Sequence, residues 1–336
     1  MRVAGLDVGT VSIDACVLED GRAGMHRSWE TAALLARPAD VLALCADMAY
    51  VVLGAGYGAP LVTLADADPA TLTLALLPDV RAGGGIGGLR RLLAALGALP
   101  MPTVLLPGVV HLPSVPRYRK LNRIDLGTAD KVAVAALALA LHGTSLDAII
   151  VELGGAFTAA IALAGGQIVD AVGGSAGPMG QQASGCLDGE VAVLAGQVTK
   201  AMLFRGGRAD AVALIGEDAA RLAWLEGAAK AVMQCAVTTP GATLVLLSGR
   251  GAQEPGVRDA LAAMLPSHTV SWLGSLPGLE AVKAGAQGAA LIADGLAGGR
   301  HAALVERMRL REAHGSVLDH LVVLAPDDAR RTLGLA

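Results

Sequence analysis

One pattern occurs twice in this chain and limits what it can fold into more than any other feature. In RVAGLDVGTVSIDACVLEDG, the apolar run Val3 to Leu6 ends in Asp7-Val8-Gly9-Thr10. A β-branched, alternating run, Val11 to Leu18, then leads to the turn pair Asp20-Gly21, which passes the chain to a third strand. Beyond His142-Gly143 the order recurs. DAIIVEL (Asp147 to Leu153) carries Glu152 near its end, and Gly154-Gly155 follow. AFTAAIAL (Ala156 to Leu163) returns, and Gly165-Gly166 turns into a third strand, Gln167 to Val172. The two copies lie about 145 residues apart, and a repeat on that scale signals an internal duplication where either turn alone would not. A carboxylate at a strand end, followed by glycine and a hydroxyl, can hold a hydrated metal ion or turn backbone N–H groups toward a phosphate.

The length of 336 residues suits two domains. The repeat places them at 1–145 and 146–336. Hydrophobic residues make up 54% of the chain but aromatic ones only 2%, so the cores are built from Ala, Leu and Val in tightly packed helix-on-sheet layers. The net charge of −4 and the lack of a basic stripe with interleaved aromatics argue against a nucleic-acid surface. The longest uncharged stretch, Met48 to Ala65, contains Gly54, Gly56, Gly58 and Pro60, which suit strand–loop–strand rather than a membrane span. The opening is a strand with one arginine, without the basic-then-apolar order of a signal peptide, so a soluble, cytoplasmic protein without membrane partners is expected. Cys16, Cys45, Cys186 and Cys235 are scattered and read as reduced and mostly buried, with no zinc site.

Between and after the repeats, Ser28 to Ala36 and Pro38 to Met48 read as helices. Ala49 to Leu53 reads as a strand running into the loop GAGYGAP, whose Tyr57 and Gly58 are candidate substrate contacts. GGGIGG (Gly83 to Gly88) precedes the helix-like LRRLLAAL and only superficially resembles a dinucleotide loop. Thr103 to Leu106 is a strand, and Pro107 to Pro116 an extended connection. The one basic cluster, Arg117, Arg119, Lys120 and Arg123, runs into Asp125, Thr128, Asp130 and Lys131 at the start of a buried helix, Val132 to Leu141, with Thr128 as its cap. Cations gathered near a helix N-terminus suit a carboxylate or phosphate. A glycine loop spans Gly173 to Gly180, and the expected elements beyond it are helices at 187–203, 217–236, 256–265 and 278–297, and strands at 211–215, 243–247 and 268–272. The strand at 243–247 ends in Ser248-Gly249-Arg250-Gly251. A charged helix and a final polar helix close the chain.

The paired acid–glycine hairpins and the strand ending in SGRG resemble the actin-like ATPase fold of acetate kinases, sugar kinases, heat-shock chaperones and actin (the ASKHA superfamily). NRIDLGTADKV, GAGYGAP, LDGEVA and GAALIADGLAGG look more specifically like an uncharacterised family described as predicted butyrate kinases. The resemblance covers nearly the whole chain. It implies an α/β fold of two duplicated, ribonuclease H-like domains, each a mixed five-stranded sheet flanked by helices, with a nucleotide cleft between them. It further implies ATP and Mg²⁺ as cofactors. Asp7, Gly9 and Thr10 would form the first phosphate loop, Glu152, Gly154 and Gly155 the second, and Ser248, Gly249 and Arg250 the adenosine loop. Asp7 and Glu152 would hold the metal, the longer Glu152 through water where an aspartate is commoner.

The activity implied is phosphoryl transfer to a small acid, a chemistry of positioning and charge neutralisation. Arg119, Lys120, Arg123 and Lys131 would hold the acceptor and the transferring group. An ionised carboxylate needs no general base, whereas a hydroxyl acceptor would use Asp125 or Asp130. The competing readings are a nucleotide-driven switch without a small acceptor and a degenerate nucleotide binder. Similar kinases often dimerise, and by that analogy alone a homodimer is one assembly open to this chain, whose sequence does not give its oligomeric state.

Overall fold

The computed structural model describes residues 1–78 and 87–335. The Gly83 to Ile86 part of the GGGIGG loop lies outside them.

In chain order, the first half contains β1 (Arg2–Val8), β2 (Ser12–Glu19), β3 (Arg22–Glu30), α1 (Thr31–Ala36), α2 (Ala39–Ala46), β4 (Tyr50–Ala55), β5 (Gly58–Thr63), α3 (Pro69–Leu76) and α4 (Gly87–Gly97). It continues with β6 (Thr103–Pro107), α5 (Arg117–Lys120) and α6 (Ala129–His142). The second half contains β7 (Ala148–Leu153), β8 (Thr158–Ala164), β9 (Gln167–Val172), α7 (Gly189–Ala195), α8 (Arg208–Ile215) and α9 (Glu217–Ala236). It ends with β10 (Leu244–Ser248), α10 (Val257–Met264), β11 (Thr269–Trp272), α11 (Ala284–Leu296), α12 (Ala302–Arg307) and α13 (Pro326–Thr332).

The duplication is visible in the sheets. One sheet has the order β3-β2-β1-β4-β6-β5, the other β11-β10-β7-β8-β9. In each, the first strand pairs antiparallel with the second and the second with the third. On its other edge the first strand pairs parallel with a later strand, and that strand in turn with a parallel neighbour. The first sheet therefore has six strands where five were expected. The extra one is β5, built from the tail of the GAGYGAP segment and paired antiparallel with β6.

The chain forms two units, and the cut is not the single one at 145. One unit comprises Met1–Ile124, Thr128–Thr144 and Gly274–Ala336; the other comprises Asp125–Gly127 and Ser145–Leu273. The C-terminal segment thus belongs with the first repeat, and packing explains why. Every residue of α11 from Gly285 to Gly295 is buried, against β1, β2, β4, α6 and α12. A Cβ on Gly5 of β1 would overlap the backbone of Ala286 and Ala290, and one on Gly288 would overlap the backbone of Ala133 in α6. Backbone packs on backbone at both places, so the Ala- and Gly-rich composition of this helix is a steric requirement.

Strand alternation then sorts the side chains. Ala4, Leu6, Ile13, Ala15, Val17, Val51 and Leu53 face a core shared with Leu34, Val41, Cys45, Leu92, Leu93 and Leu96 of α1, α2 and α4. Asp7 and Asp14 alternate to the opposite, α11 side. In the second unit Ile149, Val151, Val245 and Leu247 face a core with Trp224, Leu225 and Val232 of α9 and Leu261 of α10, and Glu152 and Ser248 alternate away from it. The four cysteines are free, with Cys186 exposed. Burial pushes the Cys16 and Cys45 thiols up to about 12. No helix among the described residues is long and apolar enough to cross a membrane.

Several expected boundaries move. The helix expected from Ser28 begins only at Thr31, because β3 pairs with β2 as far as Glu30, whose carboxylate then caps the helix at Ala32 N (3.2 Å) and Ala33 N (2.9 Å). The strand expected at Ala211–Ile215 is the end of helix α8, since a short apolar run suits either structure and here glycines at 207 and 216 cap a helix. The helix expected across 187–203 stops at Ala195, where Gly196 turns to φ 68°, and resumes as a 3₁₀ segment, Lys200–Phe204. The extended stretch 107–116 includes a 3₁₀ turn, Val109–His111. The helix expected from Gly278 starts at Ala284.

Gly288→Ala should destabilise the first unit by about 1–3 kcal/mol or more, because the obstacle is backbone that cannot step aside; the urea-unfolding midpoint measures it. His111 is buried, with its Nδ1 accepting from Gly108 N (3.2 Å), and burial pushes it down to about 4. The unfolded imidazole takes up its proton near pH 6.5 while the folded one resists until about 4, so stability should fall by about 3 kcal/mol as pH drops through that window. Unfolding midpoints at pH 7.5 and 4.5 should show that loss, and His111→Gln should shrink the difference.

Candidate functional site

Each unit carries one acid–glycine hairpin, and the two are built alike. In the first, β1 delivers Asp7 to the sheet end and the turn closes by Gly9 N donating to Ser12 O at 3.2 Å. In the second, β7 delivers Glu152 and Gly154 N donates to Phe157 O at 2.9 Å. A Cβ on Gly9 would stand 2.9 Å from Ser12 O and 3.9 Å from Asp7 Oδ1; one on Gly154 would stand 2.9 Å from Phe157 O and 3.7 Å from Glu152 Oε1. The acid, the glycine two residues on and the turn closed three residues later recur in both hairpins.

Around the first hairpin, two helix N-termini converge. A Cβ on Gly285, in the first turn of α11, would lie 2.6 Å from Asp7 Oδ2 and 3.5 Å from Asp130 Cβ, in the first turn of α6. Gly54 of β4, in register with Asp7, meets the Asp130 backbone the same way, with its Cβ position 3.1 Å from Asp130 Cα. Asp7 is buried, and a carboxylate there is favoured by the positive ends of both helices. Thr128 is the N-cap residue of α6, yet its hydroxyl donates to Asp130 Oδ1 at 2.5 Å instead of capping a backbone amide. Lys131 Nζ donates to Asp130 Oδ2 at 2.6 Å. Burial works to raise the Asp130 carboxyl, but the Lys131 ammonium and the Thr128 hydroxyl hold it below the usual carboxylate range. The Gly9 carbonyl is pinned by Thr31 Oγ1 at 2.8 Å, and Thr10 is exposed at the tip.

The sequence reading missed one member of this group. Lys283, the N-cap residue of α11, sends its Nζ to Ser12 O (2.7 Å) and Asp14 Oδ2 (3.0 Å). The sequence started this helix at Gly278, which put Lys283 inside it; only with the start at Ala284 does Lys283 become a cation at a helix N-terminus, opposing the dipole and needing an anionic partner.

In the second unit Ser248 pairs in register with Glu152. The following Gly249 adopts φ 89°, with its Cβ position 2.7 Å from Leu153 C, so the SGRG turn lies directly against the end of β7. Gly251 packs on the Trp224 ring and Arg250 is exposed. Asp125 belongs to this unit. Its Oδ2 accepts from Ser175 N (2.9 Å) and Ser175 Oγ (2.8 Å), while its Oδ1 is buried against Gly173 without a hydrogen-bond donor. The same loop continues onto the hairpin, where a Cβ on Gly174 would stand 2.6 Å from Phe157 Cβ.

The basic cluster divides. Lys120 turns inward and donates to Leu112 O at 2.8 Å, with burial, and then Arg117, pushing its ammonium down. Arg119 is half-buried with its guanidinium 5.5 Å from the Tyr118 ring centre, and Arg123 is exposed. Tyr57 N donates to Ala75 O at 2.8 Å. Gly58 (φ 73°) is spent on the β5–β6 approach, its Cβ position 2.7 Å from Pro107 C. The GAGYGAP loop meets the site through Gly56, whose carbonyl accepts from Ala129 N at 3.0 Å.

These residues suit a phosphate-bearing ligand. The first hairpin offers the N-termini of two helices of 13 and 14 residues together with Lys131 and Lys283. No group of three or more His, Cys, Asp or Glu side chains among the described residues could cage a metal by itself. A single strand-end carboxylate such as Asp7 suits Mg²⁺, which takes one or two carboxylates and completes its shell with water and phosphate oxygens.

The fold is that of the acetate and propionate kinases. Acetate kinase from Entamoeba histolytica superposes with a TM-score of 0.53 at 13% identity, covering 79% of this chain and 86% of that one. A propionate kinase from Francisella tularensis superposes at 0.53 and 12% identity, covering 79% and 88%. Acetate kinase from Porphyromonas gingivalis gives 0.53 and 14%, covering 78% and 86%. At such identities the likeness is one of fold. No curated protein matches the chain. The model of a family described as a protein of unknown function, DUF1464, matches residues 5–323, and the chain belongs to that family.

Proposed function

We propose that this protein is an ATP-dependent phosphotransferase that passes the γ-phosphoryl group to a small acid, a short-chain carboxylate of the butyrate kinase kind. The observation that carries the reading is the duplicated hairpin, with an acid at the strand end and a glycine turn two residues later in both units. Asp7 and Glu152 are the groups that would hold Mg²⁺, which supplies neutralisation of charge on the phosphate oxygens. The N–H groups of Gly9-Thr10 and Gly154-Gly155 would receive phosphate oxygens, and Ser248, Gly249 and Arg250 would border the adenosine. Arg119, Arg123 and Lys131 supply cations for the acceptor and the transferring group. Lys120 serves that role least well, because its ammonium is already committed to the Leu112 carbonyl.

One observation favours a second acceptor chemistry. Asp125 leaves a buried carboxylate oxygen with no donor, an arrangement that costs free energy unless a ligand completes it. A hydroxyl would donate to that oxygen and give up its proton to it, whereas a second carboxylate would be repelled.

Three measurements decide among these. Mg-ATP turnover with short-chain carboxylates in hydroxylamine traps any acyl phosphate as a hydroxamate; hydroxamate formation is the expected result. Acid-independent hydrolysis without hydroxamate would support a nucleotide switch instead. Asp7→Asn should abolish turnover with the far-UV circular dichroism unchanged. Asp125→Asn should leave a carboxylate kinase nearly as active, but should lower kcat by about 10²–10⁴-fold if Asp125 is the base for a hydroxyl.

A further inference from the structure

The two hairpins differ in more than the length of their acids. Around Gly154 the nearest groups belong to its own hairpin, Phe157 and Glu152, whereas over Gly9 stands a lysine brought from 271 residues beyond Ser12. A Cβ at position 9 would lie 2.7 Å from Lys283 Nζ, so the ammonium rests on the Cα of the turn glycine. We propose that Lys283 is the positioning cation of the first phosphate loop, binding a phosphate oxygen of the nucleotide there; this rests on the ATP reading above.

Three features support the assignment. First, an ammonium has three N–H donors, and Ser12 O and Asp14 Oδ2 take two of them. The side chain is still 35% exposed, which leaves the third donor for a ligand beside the turn. Second, Lys283 is held rigidly. Its carbonyl accepts from Ala286 N and Gln287 N. The buried Gln287 amide fastens the preceding segment by accepting from Leu276 N (2.8 Å) and donating to Leu279 O (3.1 Å) and Val282 O (2.8 Å). Third, the position is electrostatically poor for a cation alone. At the N-cap of α11 the ammonium opposes the helix dipole, and the Asp14 carboxylate that pairs with it also accepts from Ser12 Oγ at 2.8 Å. A phosphate would be attracted by the dipole and the ammonium together.

The alternative is that Lys283 only neutralises the buried Asp14. Calorimetric titration of Mg-ATP into the full-length protein separates the two, with adenosine as a ligand lacking phosphate. Wild type should bind Mg-ATP. Lys283→Met should weaken that binding about 10–100-fold, the range for losing one charged hydrogen bond, and leave adenosine binding unchanged. Lys283→Arg should recover most of the loss. The double variant Asp14→Asn/Lys283→Met removes both charges and keeps the turn neutral, so it guards against a fold defect from a lone buried carboxylate. Its Mg-ATP binding should remain weak. If the double variant regains wild-type affinity, or Lys283→Met binds Mg-ATP as wild type does, the phosphate role is wrong and the ATP reading stands. If wild type itself fails to bind Mg-ATP, the ATP reading falls and this role with it.

Discussion

The first unit depends on the direct approach of α11 to β1 and α6. Where Gly5 meets Ala286 and Ala290, and Gly288 meets Ala133, no side chain separates backbone from backbone. That closeness brings the first turn of α11 against the Asp7 carboxylate at Gly285. It also carries Lys283 over the hairpin. Were the helix a side chain's thickness farther from the sheet, neither group would reach the turn. Packing and site chemistry are therefore set by the same few glycines.

The electrostatics of the first hairpin follow from what is buried there. Asp7 and Asp14 alternate onto one face of the sheet and cannot be solvated freely. Their charge is balanced by the N-termini of two helices and by Lys283, while Asp130 is balanced by Lys131 and Thr128. On the phosphotransferase reading proposed above, this region of mixed charge would receive a metal–phosphate ligand with little reorganisation, the property phosphoryl transfer needs most. In the second unit the strand-end acid instead lies in register with Ser248 of the SGRG turn, and the loop after β9 supplies Ser175 to Asp125.

Much of this was legible in the linear order. Asp7 with Gly9 and Glu152 with Gly154 could be paired because strand, acid, glycine and returning strand leave a local, repeated signature. Glu217 to Ala236 and Gln167 to Val172 likewise read as their own elements, since a long periodic stretch or a run closed by turn glycines settles the matter locally. The segment 211–215 did not, because five apolar residues carry no periodicity that separates strand from helix, and the glycine caps at 207 and 216 decided it. β5 was hidden because its opening Gly58-Ala59-Pro60 resembles a loop until β6 is there to pair with.

The sequence by itself determined the duplicated α/β architecture, the two acid–glycine turns and the small-residue character of α11, since each is written in neighbouring residues. Only the tertiary structure decided that 274–336 packs with the first repeat, that Lys120 turns inward to Leu112, that Asp125 joins the second unit and that Lys283 stands over Gly9. Those outcomes depend on contacts between residues far apart in the chain. Which partner wins there is fixed by packing and by the cost of leaving a buried charge uncompensated, and neither is written in the local sequence.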